Sequence, residues 1–353
     1  MNFKQPENSD LISTVLPHFN LNGDILKIEK WGVGLINSTW KISTGQKSFI
    51  LQKVNSAVFK DPTVIAHNIA LISDFLKTHH PDYLFAAPQK TLSNKEIITI
   101  PPFGVFRLFT FIPNSITYTV VDSPQIAFEA AAQFGKFTKS LLGIELIHLK
   151  ETIPDFHNLH LRYNQYVHAI KYANEKRKVA AGEWISRLET HKTIATDFLQ
   201  IQRNPAFKKR VTHHDTKISN VLFDKNGMGL CVIDLDTVMP GYFISDVGDM
   251  MRTYLCPVSE EEKDFSKILV REAYYKAIVQ GYCSEMGNEL TEEEKQHFYY
   301  AGKFSIYMQA LRFLTDFLNN DIYYGASYPN HNLIRAANQI TLLERFSELA
   351  HSF

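Results

Sequence analysis

Short stretches rich in β-branched and aromatic residues mark the first third of the chain. Ile25 to Lys30, Ile36 to Ser43 and Ser48 to Val54 are of this kind, and Thr44-Gly45-Gln46-Lys47 separates the last two. Such runs, joined by turn-forming residues, predict an antiparallel meander. The period then changes. Asp61-Pro62 opens a segment with apolar residues at Val64, Ile65, Ile69, Ile72, Phe75 and Leu76, the spacing of one helical face, and His79-His80-Pro81 ends it. Two further strand-like runs, Glu96 to Ile100 and Val105 to Ile112, flank Pro101-Pro102. A lobe of about five strands and one helix is predicted to end near Pro113-Asn114.

Beyond that point the pattern is helical. Ser123 offers an N-cap, Pro124 sits in the first turn, and Ala127, Ala131, Phe134, Phe137 and Leu141 follow before Gly143 closes the helix. Further helices are predicted over 161–178 and 183–202, and capping-box pairs at Ser259/Glu262 and Thr291/Glu294 mark later starts. The expected architecture is α+β and bilobal: a small β-rich lobe over 1–113 and a larger, mainly helical lobe over 114–353. One β-like island, residues 211–239, interrupts the helical lobe.

Composition narrows the class. The 353 residues carry 37 basic and 37 acidic side chains, a formal net charge of zero that excludes a chain built to neutralise nucleic-acid phosphates. With 45% hydrophobic and 21% charged residues the chain can bury a substantial core. Cys231, Cys256 and Cys283 are too scattered for a disulfide framework, and none belongs to a CxxC pair. The amino terminus MNFKQPENSD lacks the basic start and apolar stretch of a secretory signal, and no run reaches the ~20 apolar residues of a membrane span. A cytoplasmic protein with neither nucleic acid nor membrane as partner is expected; the oligomeric state stays open.

The island reads VTHHDTKISNVLFDKNGMGLCVIDLDTVMPGYFISDVGD. Val221 to Phe223 and Leu230 to Ile233 are joined by Asp224-Lys225-Asn226-Gly227 and should pair as a hairpin. Asn220 precedes the first strand and Asp234 follows the second, so both fall at its open end, with Asp215 in the loop entering there. A hard cation such as Mg²⁺ takes oxygen ligands, typically one or two carboxylates plus substrate phosphates, which suits Asn220 and Asp234. Asp215 is then free to accept the proton of an attacking hydroxyl. HxDxxxxN (His213, Asp215, Asn220) followed after a hairpin by Asp234 is the arrangement of kinase-like phosphotransferases.

The chain resembles the aminoglycoside phosphotransferase-like superfamily and, more narrowly, the N-acetylhexosamine 1-kinases. THHDTKISNVLFD and CVIDLDTVMPG carry the broader likeness; GLINSTWKI, FILQKVNSAVFKDP, ETIPDFHN, DVGDMMR and RFLTDFLNNDIYY carry the narrower one. The resemblance implies a protein-kinase-like fold and transfer of the γ-phosphate of ATP to the anomeric hydroxyl of an N-acetylated hexosamine. It also implies Asp215 as catalytic base and Asn220 and Asp234 as Mg²⁺ ligands, with Asp246 tying the catalytic loop in place. His213 is expected to orient the loop, and Asp236 could take either metal or a sugar hydroxyl.

In the small lobe, Gly32, Gly34, Asn37, Ser38 and Thr39 could fold over the nucleotide phosphates with backbone N–H donors. The next strand should supply a cation, but strand alternation sends Gln52 and Lys53 to opposite faces and puts Gln52 at the usual position, so that Lys53 could substitute only through a bulge or a bent approach. No glutamate lies in the following helix, where His67 stands instead. For the sugar, one candidate set is Asp155, His157 and Asn158 around Phe156. A second is Arg312 and Asp316, one helical turn apart, with Asp321 and Tyr323. Arg252 could approach the reaction centre or pair with an acid. The alternatives are a kinase for another small hydroxylated molecule, such as an aminoglycoside or amino alcohol, and a catalytically impaired nucleotide-binding protein.

Overall fold

The computed structural model describes residues 8–21, 23–32 and 37–349. Helix α1 (Asn8–Val15) leads into a mixed region of strands β1 (Ile25–Lys30), β2 (Ser38–Thr44) and β3 (Ser48–Val54), then helix α2 (Pro62–His79), then β4 (Pro88–Gln89), β5 (Ile98–Ile100) and β6 (Gly104–Thr110). The strands form one antiparallel sheet in the order β1-β2-β3-β6-β4, with β5 also paired to β6. Alternation gives the sheet two different faces. Trp40, Ile42, Phe49, Leu51, Phe106 and Leu108 point to one of them and pack against Leu11, Ile12 and Val15 of α1. That helix was not predicted, because its short apolar set lies in an otherwise polar leader.

The other face looks toward the helical part, and α2 is fastened to it. Asn68, fully buried, donates from Nδ2 to the Lys150 carbonyl at 2.8 Å and the Val238 carbonyl at 2.9 Å, and accepts the Lys150 N–H at 3.0 Å. His67 meets the His148 carbonyl at 2.9 Å. The residue standing where a glutamate was expected is thus turned to the helical part, away from the strands.

The helical part comprises α3 (Pro124–Ser140), α4 (Leu159–Tyr172), α5 (Glu175–Glu189), α6 (Thr193–Arg203), α7 (Phe243–Tyr254), α8 (Glu272–Met286), α9 (Glu292–Gln296), α10 (Phe298–Leu318) and α11 (His331–Glu348). The two helices expected over 161–178 and 183–202 are three, because Asn174 caps a new start by accepting the Arg177 N–H at 3.0 Å. The Ser259/Glu262 pair caps no helix: Glu262 N–H closes a turn on the Ser259 carbonyl at 3.1 Å. Thr291 and Glu294 do form a capping box.

The island is present as two small antiparallel pairs, β7 (Arg210–Thr212) with β10 (Met239–Gly241) and β8 (Val221–Phe223) with β9 (Gly229–Val232). Gly248 allows α7 to lie directly on α10, since a Cβ there would collide with the Ala301 carbonyl. Cys231 and Cys256 are buried, and all three cysteines are free. Among the described residues no helix is long and apolar enough to cross a membrane.

Candidate active site

The hairpin of β8 and β9 brings the expected group together. Val221 pairs with Val232, and Ile233 N–H donates to the Asn220 carbonyl at 2.8 Å, so Asn220 and Asp234 flank the open end. Asn220 is buried and points its Nδ2 at Asp215, 2.8 Å from the carbonyl and 3.1 Å from Oδ2. Its Oδ1 is left as an acceptor. Lys217 Nζ lies 2.9 Å from Asp215 Oδ2. Burial works against the Lys217 ammonium, but Asp215, with Asp234 and Asp249, pulls its pKa above the usual range. Lys217 was not singled out from the sequence, although it stands inside the motif.

Asp234 holds the left-handed conformation, φ 63°, and so does His214, φ 65°; two such non-glycine residues beside one another's loops mark a centre held under strain. The Asp234 carboxylate makes no hydrogen bond or ion pair among the described residues. Burial first, then Asp236 and Asp215, push its pKa up to about 7. An unpartnered carboxylate among other carboxylates, beside an amide oxygen, is a donor set that suits a divalent cation. No group of three His, Cys, Asp or Glu among the described residues is placed to hold a metal alone. The residues present therefore fit a cation shared with substrate oxygens better than a protein-only cage.

The loop bearing Asp215 hangs from α7. Asp246 accepts the backbone N–H of His213 at 3.0 Å and of His214 at 2.7 Å, and Asp249 accepts that of Thr216 at 2.9 Å. Burial pushes the Asp246 pKa up to about 7, while those two N–H donors favour its charged form. His213 is fully buried and meets the Ile233 carbonyl at 2.9 Å, so it braces the loop against the hairpin.

Beneath the loop a histidine pair shares one hydroxyl. Thr212 Oγ1 gives its proton to the Met239 carbonyl at 3.0 Å, so His214 Nε2 must be the donor to Thr212 at 2.7 Å. His214 Nδ1 then accepts from Ser245 Oγ at 2.8 Å, and His157 Nδ1 donates to that same oxygen. Both rings are neutral in this chain of bonds. Burial, with His213 adding to it, lowers the His214 pKa to about 3; burial, with His214 adding to it, holds that of His157 well below the usual value.

The acceptor-side candidates divide. Asp155 is exposed and accepts from Asn158 Nδ2 at 2.8 Å. Asp155 and His157 border a cavity of about 150 Å³ under the loop, whereas Arg312 and Tyr323 border a larger one of about 500 Å³. Asp316 also borders the larger cavity, but its carboxylate is engaged by backbone groups, and Asp321 does not border it. Asp316 accepts the backbone N–H groups of Tyr323 at 2.7 Å and Tyr324 at 2.9 Å, and Asp321 pairs with Arg177 at 2.7 Å. Arg312 bonds instead to Gln309 Oε1 at 3.3 Å and the Tyr323 hydroxyl at 3.4 Å. The same cavity contains Arg162, whose Nε is buried without a hydrogen-bond partner, and Thr315, whose hydroxyl is likewise unpartnered. Arg252 pairs with acids, Asp249 at 2.8 Å and Glu260 at 3.2 Å.

In the small lobe, Gly34 lies outside the described residues. Gly32 has φ 73°, a conformation glycine adopts freely, and opens the segment that leads to β2. Asn37 is committed elsewhere: its Oδ1 accepts the Asn55 N–H at 2.9 Å and its Nδ2 donates to Asp236 Oδ2 at 2.8 Å. Asp236 is buried and its Oδ1 lies 2.5 Å from Arg107 Nη1, so both of its oxygens face protein groups. Ser38 is exposed at the start of β2, and Thr39 accepts from Gln52 Nε2 at 3.4 Å. Lys53 lies on the α1 side of the sheet, in register with Ser38 and on the face opposite Thr39 and Gln52.

The sequence matches the phosphotransferase enzyme family APH over residues 27–292. Among solved structures, an amicoumacin kinase in complex with AMP-PNP and Ca²⁺ superposes with TM-score 0.65 at 14% identity, covering 98% of each chain. An aminoglycoside phosphotransferase from Alicyclobacillus acidocaldarius gives TM-score 0.63 at 11% identity over 100% of this chain and 98% of that one. A choline kinase from Cryptosporidium parvum gives 0.59 at 16% identity over 98% and 96%. At such identities the likeness is one of fold, and it spans both parts of the molecule. The chain belongs to the APH phosphotransferase enzyme family and has its protein-kinase-like α+β fold.

Proposed function

We propose that the protein is an ATP-dependent kinase that phosphorylates the anomeric hydroxyl of an N-acetylhexosamine. Asp215 accepts the proton of that hydroxyl as its oxygen bonds to the γ-phosphorus and the bond to the β–γ bridging oxygen breaks. Lys217, 2.9 Å from Asp215, faces the charge of the transferring group. Asn220 Oδ1 and Asp234 would hold Mg²⁺, which when bound with the nucleotide neutralises phosphate charge. Asp246, Asp249 and the neutral His157–Ser245–His214 chain hold the loop in the geometry this transfer needs.

The observation that carries the choice of acceptor is the charge of the 500 Å³ cavity. Two guanidinium groups, Arg162 and Arg312, border it without a carboxylate partner, the bordering Asp316 being held by the Tyr323 and Tyr324 amides, and burial together with Arg312 lowers the pKa of Arg162. A quaternary ammonium or polyamine would meet repulsion there. A polyhydroxylated acceptor with an acetamide meets donors: the guanidiniums, the Thr315 hydroxyl and the Tyr323 phenol. His157 borders the smaller cavity, its ring 5.2 Å from that of His214, and its neighbour Phe156 lies 5.8 Å from the Arg312 guanidinium of the larger one. Together with the sequence resemblance, this supports a neutral amino-sugar acceptor. Incubating the protein with Mg-ATP and, separately, N-acetylglucosamine, N-acetylgalactosamine, choline and kanamycin tests it: phosphate should pass to an acetylated hexosamine, and turnover of the cationic acceptors alone would reject the reading.

A further inference from the structure

The small lobe of a nucleotide-dependent phosphotransferase needs a cation on the polyphosphate, and the third strand does not provide it here. Lys53 alternates to the face that carries Phe49 and Leu51, and its Cε lies 3.2 Å from where a Cβ on Gly104 would be. The opposite face carries Thr39, Gln52 and Arg107 side by side, because Gln52 is in register with Thr39 on β2 and with Arg107 on β6. Gln52 does not act as the cation's substitute. It orients one: Arg107 Nε–H donates to Gln52 Oε1 at 3.0 Å while Gln52 Nε2 donates to Thr39 at 3.4 Å.

Arg107 reaches across to the helical part. Its Nη1 lies 2.5 Å from Asp236 Oδ1, and each residue is only 3% exposed. Asp236 Oδ1 nevertheless makes no hydrogen bond, so the pair is held by charge and not by an aligned donor. Asn37 fixes the second oxygen at 2.8 Å. Arg107 is also close enough to oppose the charge on Asp234, two residues before Asp236, which is where a metal-bound polyphosphate would approach. No helix glutamate is needed. His67 and Asn68 of α2 are spent on the His148, Lys150 and Val238 carbonyls.

We infer that Arg107, delivered by β6 and oriented by Gln52 and Asp236, is the residue that binds the nucleotide polyphosphate from the small lobe. The inference rests on the kinase reading above. Gln52 and Asp236 face Nε and Nη1, which leaves Nη2 for a phosphate oxygen, and a guanidinium stays charged when buried, so it can serve from a neighbouring strand where a lysine would have to stand on β3. Asp236 then does the orienting that a helix carboxylate would otherwise do.

The test is calorimetric titration of wild type, Arg107→Ala and Arg107→Lys with adenosine, Mg-ADP and Mg-ATP, alongside steady-state kinetics. Arg107→Ala should weaken Mg-ADP and Mg-ATP by about 10- to 100-fold, the range for lost charge-assisted hydrogen bonds. Adenosine, which has no phosphate, should bind within about twofold of wild type, and KM for ATP should rise more than kcat falls. Arg107→Lys keeps a cation beside Asp236, so it should stay folded and fall between the two. Unchanged Mg-ATP affinity in both variants overturns the assignment, as does an equal loss for adenosine or a loss that follows Lys53→Ala. A wild type that binds no Mg-ATP removes the kinase reading along with it, whereas binding that is insensitive to Arg107 removes this inference alone.

Discussion

The carboxylate of Asp246 receives the backbone N–H of His214 at 2.7 Å and of His213 at 3.0 Å, which suspends the loop bearing Asp215 from the first turn of α7. Both donors are buried, so no water replaces the lost acceptor if Asp246 is truncated. Asp246→Ala should cost about 2 to 4 kcal/mol of unfolding free energy, from two unsatisfied buried amides. Asp246→Asn retains one acceptor oxygen and should cost less. Urea denaturation of the three proteins checks the order; equal stability of Asp246→Ala and wild type would mean that the loop is held by other contacts.

The proposed roles of Asp215 as base and Asp234 as metal ligand are separable by substitution. Asp215→Asn should lower kcat for sugar phosphorylation by about 10²- to 10⁴-fold, the usual range for a general base, with Mg-ATP affinity nearly unchanged. Asp234→Ala should weaken Mg-ATP binding itself. A loss under tenfold for Asp215→Asn would show that this carboxylate is not the base, and unaltered Mg-ATP binding in Asp234→Ala would take the metal assignment with it.

Much of this site was legible in sequence because its parts are neighbours in the chain. His213, Asp215 and Asn220 fall within one loop, and a turn of Asp224 to Gly227 is enough to bring Asp234 back beside them. The limits of β1, β3 and α2 were legible for the same local reason: alternation, a turn and a proline at the first helical position. What could not be read was any pairing between distant strands. Sequence alternation separates Gln52 from Lys53, but only sheet order places β6 next to β3 and so Arg107 beside Gln52. Likewise Arg312 and Asp316 share a helical face, yet Asp316 is taken by the backbone of Tyr323 and Tyr324, a competition that helical spacing cannot reveal.

The neutral histidine pair should make the fold acid-sensitive in a defined window. His214 is held at a pKa of about 3, so as pH falls below ~6.5 the unfolded chain takes up a proton that the folded one refuses. Stability contributed by this site is therefore complete above ~6.5 and lost progressively toward pH 3. His214→Asn lacks that titration. The stability gap between wild type and His214→Asn should shrink by about 2 kcal/mol from pH 7 to pH 5, measured by urea unfolding at each pH. A constant gap would show that His214 protonates in the folded state.

Arg312 should act on the acceptor and not on the nucleotide. Arg312→Ala is expected to raise KM for the sugar by about tenfold or more while leaving KM for ATP within about twofold. Tyr323→Phe, which removes only the hydroxyl that Arg312 touches, should give a smaller change in the same direction. A rise in KM for ATP alone would place this cavity outside the acceptor site.

The most direct measurement compares free N-acetylhexosamine with its methyl glycoside, using phosphorus NMR to follow transfer from Mg-ATP. Blocking O1 leaves every other hydroxyl available. The expected result is a sugar 1-phosphate from the free sugar and no phosphorylated product from the methyl glycoside. Equal phosphorylation of both would contradict transfer to the anomeric oxygen and leave Asp215 serving a different hydroxyl.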